Sequence, residues 1–228
     1  MKKFKSFIAL DLKSNAQNID VVRKLYLHVY GFKVGYRSFY NKRSSELISE
    51  IKKKKSKLFL DLKLHDIPNT VSSAIDSLSK INPDFLTLHI SGGNEMMKAA
   101  LNSIKKNKLK TKILGVSLLT SLDGKDSEKI YKERDTKKLV KKFTQIANNE
   151  NIHGLICSGD DLRILEKYKK LIKITPGVKM FARNDDQKRV TFVHNALQDG
   201  ASFVVIGREL IGSKKPLDLL KKYGEQHK

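Results

Sequence analysis

The sequence predicts an α/β protein: a (β/α)8 barrel of the TIM type that forms a single domain over residues 1–228. Three observations lead to this prediction. Eight short apolar, β-branched runs recur along the chain, amphipathic Lys-rich segments separate them, and 228 residues suit one compact barrel. Alternating strands and helices imply right-handed crossovers and a parallel sheet. An open doubly wound sheet is the alternative, but no Gly-x-Gly-x-x-Gly follows the first strand.

The elements follow in order along the chain. Strands are predicted at Phe7–Leu10, Phe32–Val34, Leu58–Leu62, Phe85–Ile90, Ile113–Leu118, Gly154–Cys157, Ile172–Thr175 and Phe203–Ile206. Helical periodicity predicts helices at Asp20–Tyr30, Ser44–Lys54, Asn69–Leu78, Glu95–Ile104, Lys137–Ala147, Asp161–Lys169, Val190–Leu197 and Pro216–Tyr223. The polar segment Ser121–Asp135 is expected to be a long loop, and the segment Pro176–Lys188 a loop that closes as a lid.

The chain is strongly basic, with 46 Lys and Arg against 24 Asp and Glu, a net charge of +22. Such a charge raises the possibility of a nucleic-acid-binding protein, which is one alternative function. However, only eight of the basic residues are Arg, the lysines are dispersed, and there is no Trp. Base readout and base stacking favour Arg and aromatic side chains. We therefore interpret the charge as solvated helix surface and expect no specific nucleic-acid partner.

Cysteine content and hydropathy bear on the compartment. The single cysteine, Cys157, excludes an internal disulfide framework and suits a reducing cytosol. The short apolar run near the N-terminus is interrupted by Asp11 and Lys13, and no stretch reaches about 18 apolar residues. We expect a cytoplasmic protein with no membrane partner. His65 and His89 are interpreted as packing and turn residues, and no Cys/His cluster of zinc type is present.

Polar residues follow nearly every predicted strand. In (β/α)8 barrels the active site lies at the C-terminal ends of the strands. We therefore predict the site there, among Asp11, Lys33, Asp61 with Lys63, His89, Ser117 with Thr120, Ser158, Thr175, and Gly207 with Arg208.

The third strand carries the most specific pattern. Side chains alternate along a strand, so Asp61 and Lys63 share one face and point inward, opposite the leucines. Buried charges cost several kcal/mol each unless they are paired, and an alternating cluster of Lys33, Asp61, Lys63 and Asp66 would pair them. The alternative is an ion-pair network that only stabilises the barrel. Asp66, just before Pro68, has its own alternative as a helix cap.

The eighth strand ends in Gly207 and Arg208. Barrels often bind phosphate at the loops after strands seven and eight, where Gly lets the backbone approach and Arg contacts two oxygens. The alternative is a simple turn followed by a surface residue.

These motifs together resemble one family. The stretch FLDLKLHDIPNTV closely resembles the signature of the orotidine 5′-monophosphate decarboxylases. IALD, KVG, LHISGG, SLLTS, TPGV and VVIGR resemble the family's other motifs and occur in the family's order, from Ile8 to Arg208. The resemblance implies decarboxylation of orotidine 5′-monophosphate to UMP in de novo pyrimidine biosynthesis, by a homodimer that needs neither a metal nor an organic cofactor.

The resemblance also implies residue roles. Lys63 would give a proton to C6, Asp61 would face the substrate carboxylate, and Lys33 and Asp11 would contact the ribose. Asp66, Ile67 and Thr70 would reach into the partner subunit's site. The other substrate contacts would come from Ser117 at the pyrimidine, Thr120 of the fifth loop, Gln187 between base and phosphate, and Gly207 and Arg208 at the phosphate.

The chain departs from the family pattern at one phosphate residue. The family has Arg where this sequence has Lys179, which keeps the charge but loses bidentate geometry. Either Lys179 or Arg183 would then take that role. A second alternative function is a related barrel acting on sugar phosphates, such as keto-gulonate-phosphate decarboxylase or hexulose-phosphate synthase. Those enzymes use a metal and an acidic residue at the position of Lys33, so Lys33 argues against them.

Overall fold

The computed structural model describes residues 3–181 and 191–226. Over these ranges the chain forms eight parallel strands, ordered as in the sequence around a closed barrel, which confirms the predicted (β/α)8 fold. The strands are β1 (Phe4–Ala9), β2 (Val29–Gly35), β3 (Lys57–Leu64), β4 (Phe85–His89), β5 (Lys112–Val116), β6 (Gly154–Ile156), β7 (Ile172–Thr175) and β8 (Phe203–Ile206).

Helices connect the strands. They are α1 (Asn15–Leu25), α2 (Tyr36–Phe39), α3 (Ser44–Lys53), α4 (Pro68–Leu78), α5 (Asn94–Lys106), α6 (Gly124–Tyr131), α7 (Thr136–Asn149), α8 (Val193–Gln198), α9 (Arg208–Ile211) and α10 (Pro216–Gln226). Short 3₁₀ turns lie at Ile90–Gly92, Gly159–Asp161 and Arg163–Leu165. Among the helices described, none is long and apolar enough to cross a membrane.

The contacts divide the chain into two compact units. The first unit comprises Met1–Asp61 and Thr175–Lys228, and the second comprises Leu62–Ile174. The single domain expected from the sequence stays a prediction. In the first unit, the ring of Phe7 packs edge-on against Phe59 and Phe203, with centroids 5.4 and 5.5 Å away. In the second, the buried core is largely aliphatic and includes Leu86, Leu88, Ile113, Leu114, Leu155 and Ile174.

Strand register sets which side chains meet within each unit. In the first unit, Ala9 pairs with Lys33 and Gly35 pairs with Asp61. The C-terminal parts of β1, β2 and β3 therefore lie side by side. In the second unit, Val116 of β5 lies between its partners His89 on β4 and Ile156 on β6. Residues just after these strands are therefore neighbours.

The first helix begins earlier than the sequence pattern predicts. Expected at Asp20–Tyr30, α1 instead spans Asn15–Leu25, because the Ser14 side chain caps it by accepting the N–H of Gln17 at 3.3 Å. The expected end at Tyr30 was wrong, since that residue already belongs to β2. The short helices α2 and α9 were not predicted. Val190, where the helix before β8 was expected to begin, lies outside the described residues.

The predicted loop Ser121–Asp135 was wrong, because it contains α6. The Asp123 carboxylate accepts the N–H groups of Lys125 and Asp126 at 2.8 and 2.9 Å, and Lys132 ends the helix in a left-handed conformation. These local caps replace a broad apolar face, which explains why hydropathy did not show the helix.

The predicted helix Asp161–Lys169 was also wrong. Two 3₁₀ turns occupy this region, with i→i+3 bonds from Leu162 to Gly159 and from Leu165 to Leu162. The Asp161 carboxylate accepts both the N–H and the hydroxyl of Ser158, at 3.1 and 2.6 Å. This capping tightens the segment from its first turn.

Candidate active site

A half-buried ion pair lies at the ends of β2 and β3. The Lys33 Nζ atom is 3.2 Å from Asp61 Oδ2, and their side chains are 17% and 14% exposed. Asp61 and Lys63 are both half-buried, whereas Leu60 before Asp61 and Leu62 between the two are buried, as the alternation along β3 predicts. Because each charge loses much of its hydration, each one needs the other.

A buried polar network holds the loop that carries Asp11. The Asn18 side chain is fully buried, accepts the N–H of Leu12 at 3.2 Å and donates to the hydroxyl of Ser38 at 3.0 Å. The Ser38 hydroxyl in turn donates to the carbonyl of Leu10. The residues on both sides of Asp11 are thus tied to the helix α1 and to the segment after β2.

Asp11 itself offers an acceptor. Its Oδ1 atom is buried and finds no hydrogen-bond donor among the residues that the structure describes. An unsatisfied buried acceptor is costly, so a ligand hydroxyl is a natural partner for it. The backbone carbonyl of Asp11 accepts a hydrogen bond from Arg37 at 2.9 Å, which leaves the carboxylate available.

Tyr36, which the sequence interpretation did not single out, lies near the ion pair. Burial, the Asp61 charge and the neighbouring Tyr40 raise the pKa of Tyr36, so its phenol stays protonated at neutral pH. Its position directly after the KVG motif is the only sequence signal that would have found it.

Lys63 has an unusual backbone. It lies one residue before the end of β3 and has a φ of 43°, in the left-handed region. This conformation costs a non-glycine residue about 1–3 kcal/mol and persists only where its surroundings fix it. The backbone N–H of Lys63 donates to the hydroxyl of Thr87 on β4, at 2.8 Å. Thr87 is fully buried and was not identified from the sequence.

The segment after β3 projects into solvent. Asp66, Ile67 and Thr70 are all exposed, and Ile67 is 66% exposed despite its apolar side chain. Ile67 is the N-cap residue of α4, and Asp66 accepts the N–H of Ile67 at 2.7 Å. That amide precedes the first turn, so the Asp66 carboxylate does not cap the helix.

The other predicted residues of the second unit differ in burial. Ser117 is 3% exposed, and its hydroxyl lies 3.4 Å from the carbonyl of Ile156, whereas Thr120 is exposed. Ser158 is engaged with Asp161, and burial raises the pKa of the Asp161 carboxyl. Ser117 is therefore buried directly after β5, whereas Thr120 lies on the exposed part of the loop that follows.

The two histidines of the second unit contact each other. The rings of His65 and His89 are tilted, with centroids 5.0 Å apart. Cys157 is buried. Within residues 3–181 and 191–226 there is no group of three or more His, Cys, Asp or Glu side chains that would hold a metal ion.

In the first unit, Lys179 and Arg208 follow β7 and β8. The backbone of Lys179 pairs with residues on the far side of its loop: its N–H donates to Thr191 and its carbonyl accepts from Val193, at 3.0 and 2.9 Å. Arg208 is exposed and begins α9. Gly177 has a φ of 73°, which favours glycine. Gln187 and Arg183 lie outside the described residues.

Glu209 connects these two loops and was also missed. Its carboxylate accepts the N–H groups of Met180 and Phe181 at 2.7 and 3.3 Å. The residue after Arg208 is therefore bonded to the residues after Lys179. A Cβ atom placed on Gly207 would meet nothing nearer than the Ala9 Cβ at 4.0 Å, so the space beside this backbone is open.

Comparison with known proteins identifies a family for this chain. The model of the orotidine 5′-phosphate decarboxylase / HUMPS family matches residues 5–223. Orotidine 5′-phosphate decarboxylase of a Wolbachia species from Brugia malayi is 36% identical over 212 residues, which cover 91% of this chain and 92% of that protein. The Staphylococcus aureus (strain Mu3) enzyme is 36% identical over 224 residues, or 96% of each chain.

A solved structure agrees with these relatives. The crystal structure of orotidine 5′-phosphate decarboxylase from Lactobacillus acidophilus has a TM-score of 0.82 and 26% identity, covering 98% of this chain and 99% of that one. The match of fold, motifs and sequence extends over nearly the whole chain. This chain therefore belongs to the orotidine 5′-phosphate decarboxylase / HUMPS family.

Proposed function

We propose that this protein is a carboxy-lyase that converts orotidine 5′-monophosphate to UMP and CO2 in pyrimidine biosynthesis. The family and its curated relatives support the reaction. The observation that carries the proposal in this chain is the half-buried Lys33–Asp61 pair, with Lys63 two residues further along the same strand. These charges are the groups that this decarboxylation needs.

The reaction leaves an electron pair on C6 of the pyrimidine. The bond between C6 and the carboxylate carbon breaks, CO2 departs, and no adjacent group of the ring accepts the electrons. In the proposal, the ammonium of Lys63 stabilises this charge and then gives its proton to C6. Preorganised electrostatic stabilisation of this kind is usually the largest catalytic contribution. Lys63 regains a proton from water before the next turnover.

Asp61 and Lys33 would prepare the site for this step. Asp61 faces the substrate carboxylate, and the repulsion between the two is relieved as CO2 leaves. Lys33 pairs with Asp61 across 3.2 Å and would contact the ribose. Asp11 would bind a ribose hydroxyl through its buried Oδ1 atom.

The remaining contacts would position the base and the phosphate. We assign the pyrimidine to Ser117, with Thr120 on the same loop. The phosphate is assigned to the backbone of Gly207 and the guanidinium of Arg208, with Lys179 as the cation from the preceding loop and Gln187 as the bridge from phosphate to base. Phosphate binding remote from C6 would contribute to catalysis by holding the ring in place.

The proposed assembly is a homodimer with shared sites. Asp66, Ile67 and Thr70 are exposed after β3, and an isoleucine exposed to this extent fits a subunit contact. These residues of each subunit would complete the site of the partner. The cytoplasmic location and the absence of a specific nucleic-acid partner stay predictions from the sequence.

One assay tests the function. The purified protein is mixed with orotidine 5′-monophosphate and excess EDTA, and the decrease in the absorbance of the nucleotide is followed. We expect full activity with the chelator, and a loss of at least about 10³-fold in kcat for Lys63→Ala. Activity that disappears with EDTA and returns with Mg²⁺ would contradict a metal-free reaction, and a folded protein with no activity on this nucleotide would favour the sugar-phosphate alternative. A Lys63→Ala variant that keeps a tenth of the wild-type kcat would show that Lys63 is not the proton donor.

A further inference from the structure

Thr87 has an unusual place in the second unit. It is the central residue of β4, is fully buried, and is the one polar residue between the apolar residues Leu86 and Leu88. Its hydroxyl accepts the backbone N–H of Lys63 at 2.8 Å. In a parallel sheet the usual acceptor for such an N–H is a backbone carbonyl of the next strand. Here a side-chain hydroxyl accepts this N–H.

The bond coincides with the left-handed backbone of Lys63. With a φ of 43°, Lys63 leaves the extended conformation near the end of β3. A lysine at a helix end, such as Lys132, also adopts a positive φ, but Lys63 lies within a strand. There the left-handed conformation departs from the extended backbone and needs a local contact to hold it. The Thr87 hydroxyl contacts the amide at the N-terminal side of that φ bond, where it limits rotation of the peptide plane.

The backbone conformation of Lys63 sets the direction in which its side chain leaves the strand. We propose that Thr87 is a positioning residue, which fixes the left-handed backbone of Lys63 and thereby aims its ammonium at the reacting carbon. Thr87 contacts neither substrate nor C6 in this proposal and acts only through Lys63. The inference rests on the proposed function, in which Lys63 is the proton donor. A proton donor must lie within hydrogen-bond reach, and small misplacements lower the rate steeply.

Three variants separate this role from simple packing. Thr87→Val keeps the shape of the side chain but removes the acceptor, and Thr87→Ser keeps the hydroxyl. Thr111→Val is the matched control. Thr111 belongs to the same unit, is 2% exposed, and donates from its hydroxyl to the carbonyl of Pro83 at 2.6 Å, at the opposite end of the strands. It therefore loses a buried hydrogen bond without involving Lys63.

Steady-state kinetics with orotidine 5′-monophosphate give the first readout. We expect Thr87→Val to lower kcat about 10- to 100-fold with KM changed less than twofold. Thr87→Ser should retain at least a third of the kcat. Thr111→Val should lower the melting temperature yet keep the wild-type kcat. A folded Thr87→Val variant with kcat within twofold of wild type would overturn the proposal, as would equal losses in the Val and Ser variants.

Amide exchange gives a second readout that does not depend on activity. The Lys63 N–H, followed by NMR, should be protected in the wild type and in Thr87→Ser and should exchange at least tenfold faster in Thr87→Val. If the wild type does not decarboxylate the nucleotide, the proposed function fails, while this exchange still shows whether Thr87 fixes Lys63. Should Thr87→Val not fold, Thr87→Ala takes its place in both measurements. Unchanged protection in a folded variant refutes the positioning role.

Discussion

Charged side chains at the ends of the first strands are held in different ways. Lys33 and Asp61 compensate each other's lost hydration directly, across 3.2 Å. Asp11 keeps a buried oxygen without a donor among the described residues, which leaves it ready for a ligand. Lys63 is fixed through its backbone instead. Each arrangement suits the proposed role of the residue: Lys33 and Asp61 form a charge pair, Asp11 offers an acceptor for a hydroxyl, and Lys63 supplies a proton.

Arg208 tests the phosphate assignment. Replacing it with Ala should weaken the binding of phosphorylated ligands by about 1.5–3 kcal/mol, the range for a charge-assisted hydrogen bond. The measurement compares the affinities of UMP and uridine by calorimetry. Arg23→Ala, which removes an exposed Arg on α1, serves as the control and should change neither affinity. If Arg208→Ala weakens the binding of uridine and of UMP equally, Arg208 does not contact the phosphate.

His153 predicts a pH dependence of stability. Its Nδ1 atom accepts the N–H of Ile113 at 3.1 Å, so this hydrogen bond requires the unprotonated nitrogen. Burial, and secondarily the charge of Lys112, lower the pKa of His153 below its ordinary value of 6.5. Protonation of His153 is therefore less favourable in the folded state than in the unfolded state. The contribution of His153 to stability is complete above pH 6.5 and is lost as the pH falls through the lowered pKa.

Urea unfolding at pH 7.5 and pH 5.0 checks this. His153→Asn offers an acceptor that does not titrate. As the pH falls, the free energy of unfolding of the wild type should therefore decrease by on the order of 1 kcal/mol more than that of the variant. The comparison removes the contribution of the other titrating groups. Equal losses in the two proteins would show that His153 does not carry the effect.

At the scale of elements, the sequence predicted the strands better than their connections. Strands with buried β-branched and aliphatic residues have a strong hydropathy pattern, and all eight were located. By contrast, α6 depends on the carboxylate cap of Asp123, and the turns before β7 depend on the bond between Ser158 and Asp161. Such local polar contacts leave no periodic pattern, so hydropathy alone gave a loop in one place and a helix in the other.

Glu209 shows how a contact between two loops serves a site. Because its carboxylate accepts the amides of Met180 and Phe181, we expect Glu209→Ala to loosen Lys179 and raise KM for orotidine 5′-monophosphate about tenfold, near 1.4 kcal/mol. Glu209→Gln keeps one acceptor oxygen and should show a smaller increase. Glu225→Ala on α10 is an exposed control. An unchanged KM in Glu209→Ala would mean that the contact is only structural.

At the scale of the molecule, the sequence predicted the barrel and the residues at its strand ends. Alternation along β3 was enough to place Asp61 and Lys63 on one face. Tyr36, Thr87 and Glu209 were missed because their partners are distant in sequence or defined by backbone geometry. The left-handed Lys63, for example, follows no glycine or turn motif. Residue types and spacing therefore suffice to propose the chemistry, while contacts such as the bond between Lys63 and Thr87 are visible only in the folded chain.

The proposed dimer makes a prediction for the whole assembly. If Lys63 acts in its own subunit and Asp66 acts in the partner's site, then Lys63→Ala and Asp66→Asn homodimers should both be nearly inactive. In a mixed dimer one site collects both defects and the other has none. Equal amounts of the two variants, mixed, dissociated and reassociated, should recover about a quarter of the wild-type activity. Half of the dimers are then mixed, and each mixed dimer has one intact site.

The control for this experiment pairs two variants on the same strand. Lys63→Ala mixed with Asp61→Asn should recover nothing, because both residues would serve the site of their own subunit and every site in the mixed dimer keeps one defect. Differently tagged subunits and a pull-down show that the mixed dimers form. If they form and the Lys63→Ala with Asp66→Asn mixture stays at background, Asp66 acts within its own subunit. The exposed Ile67 beside it would then need another explanation than a shared site.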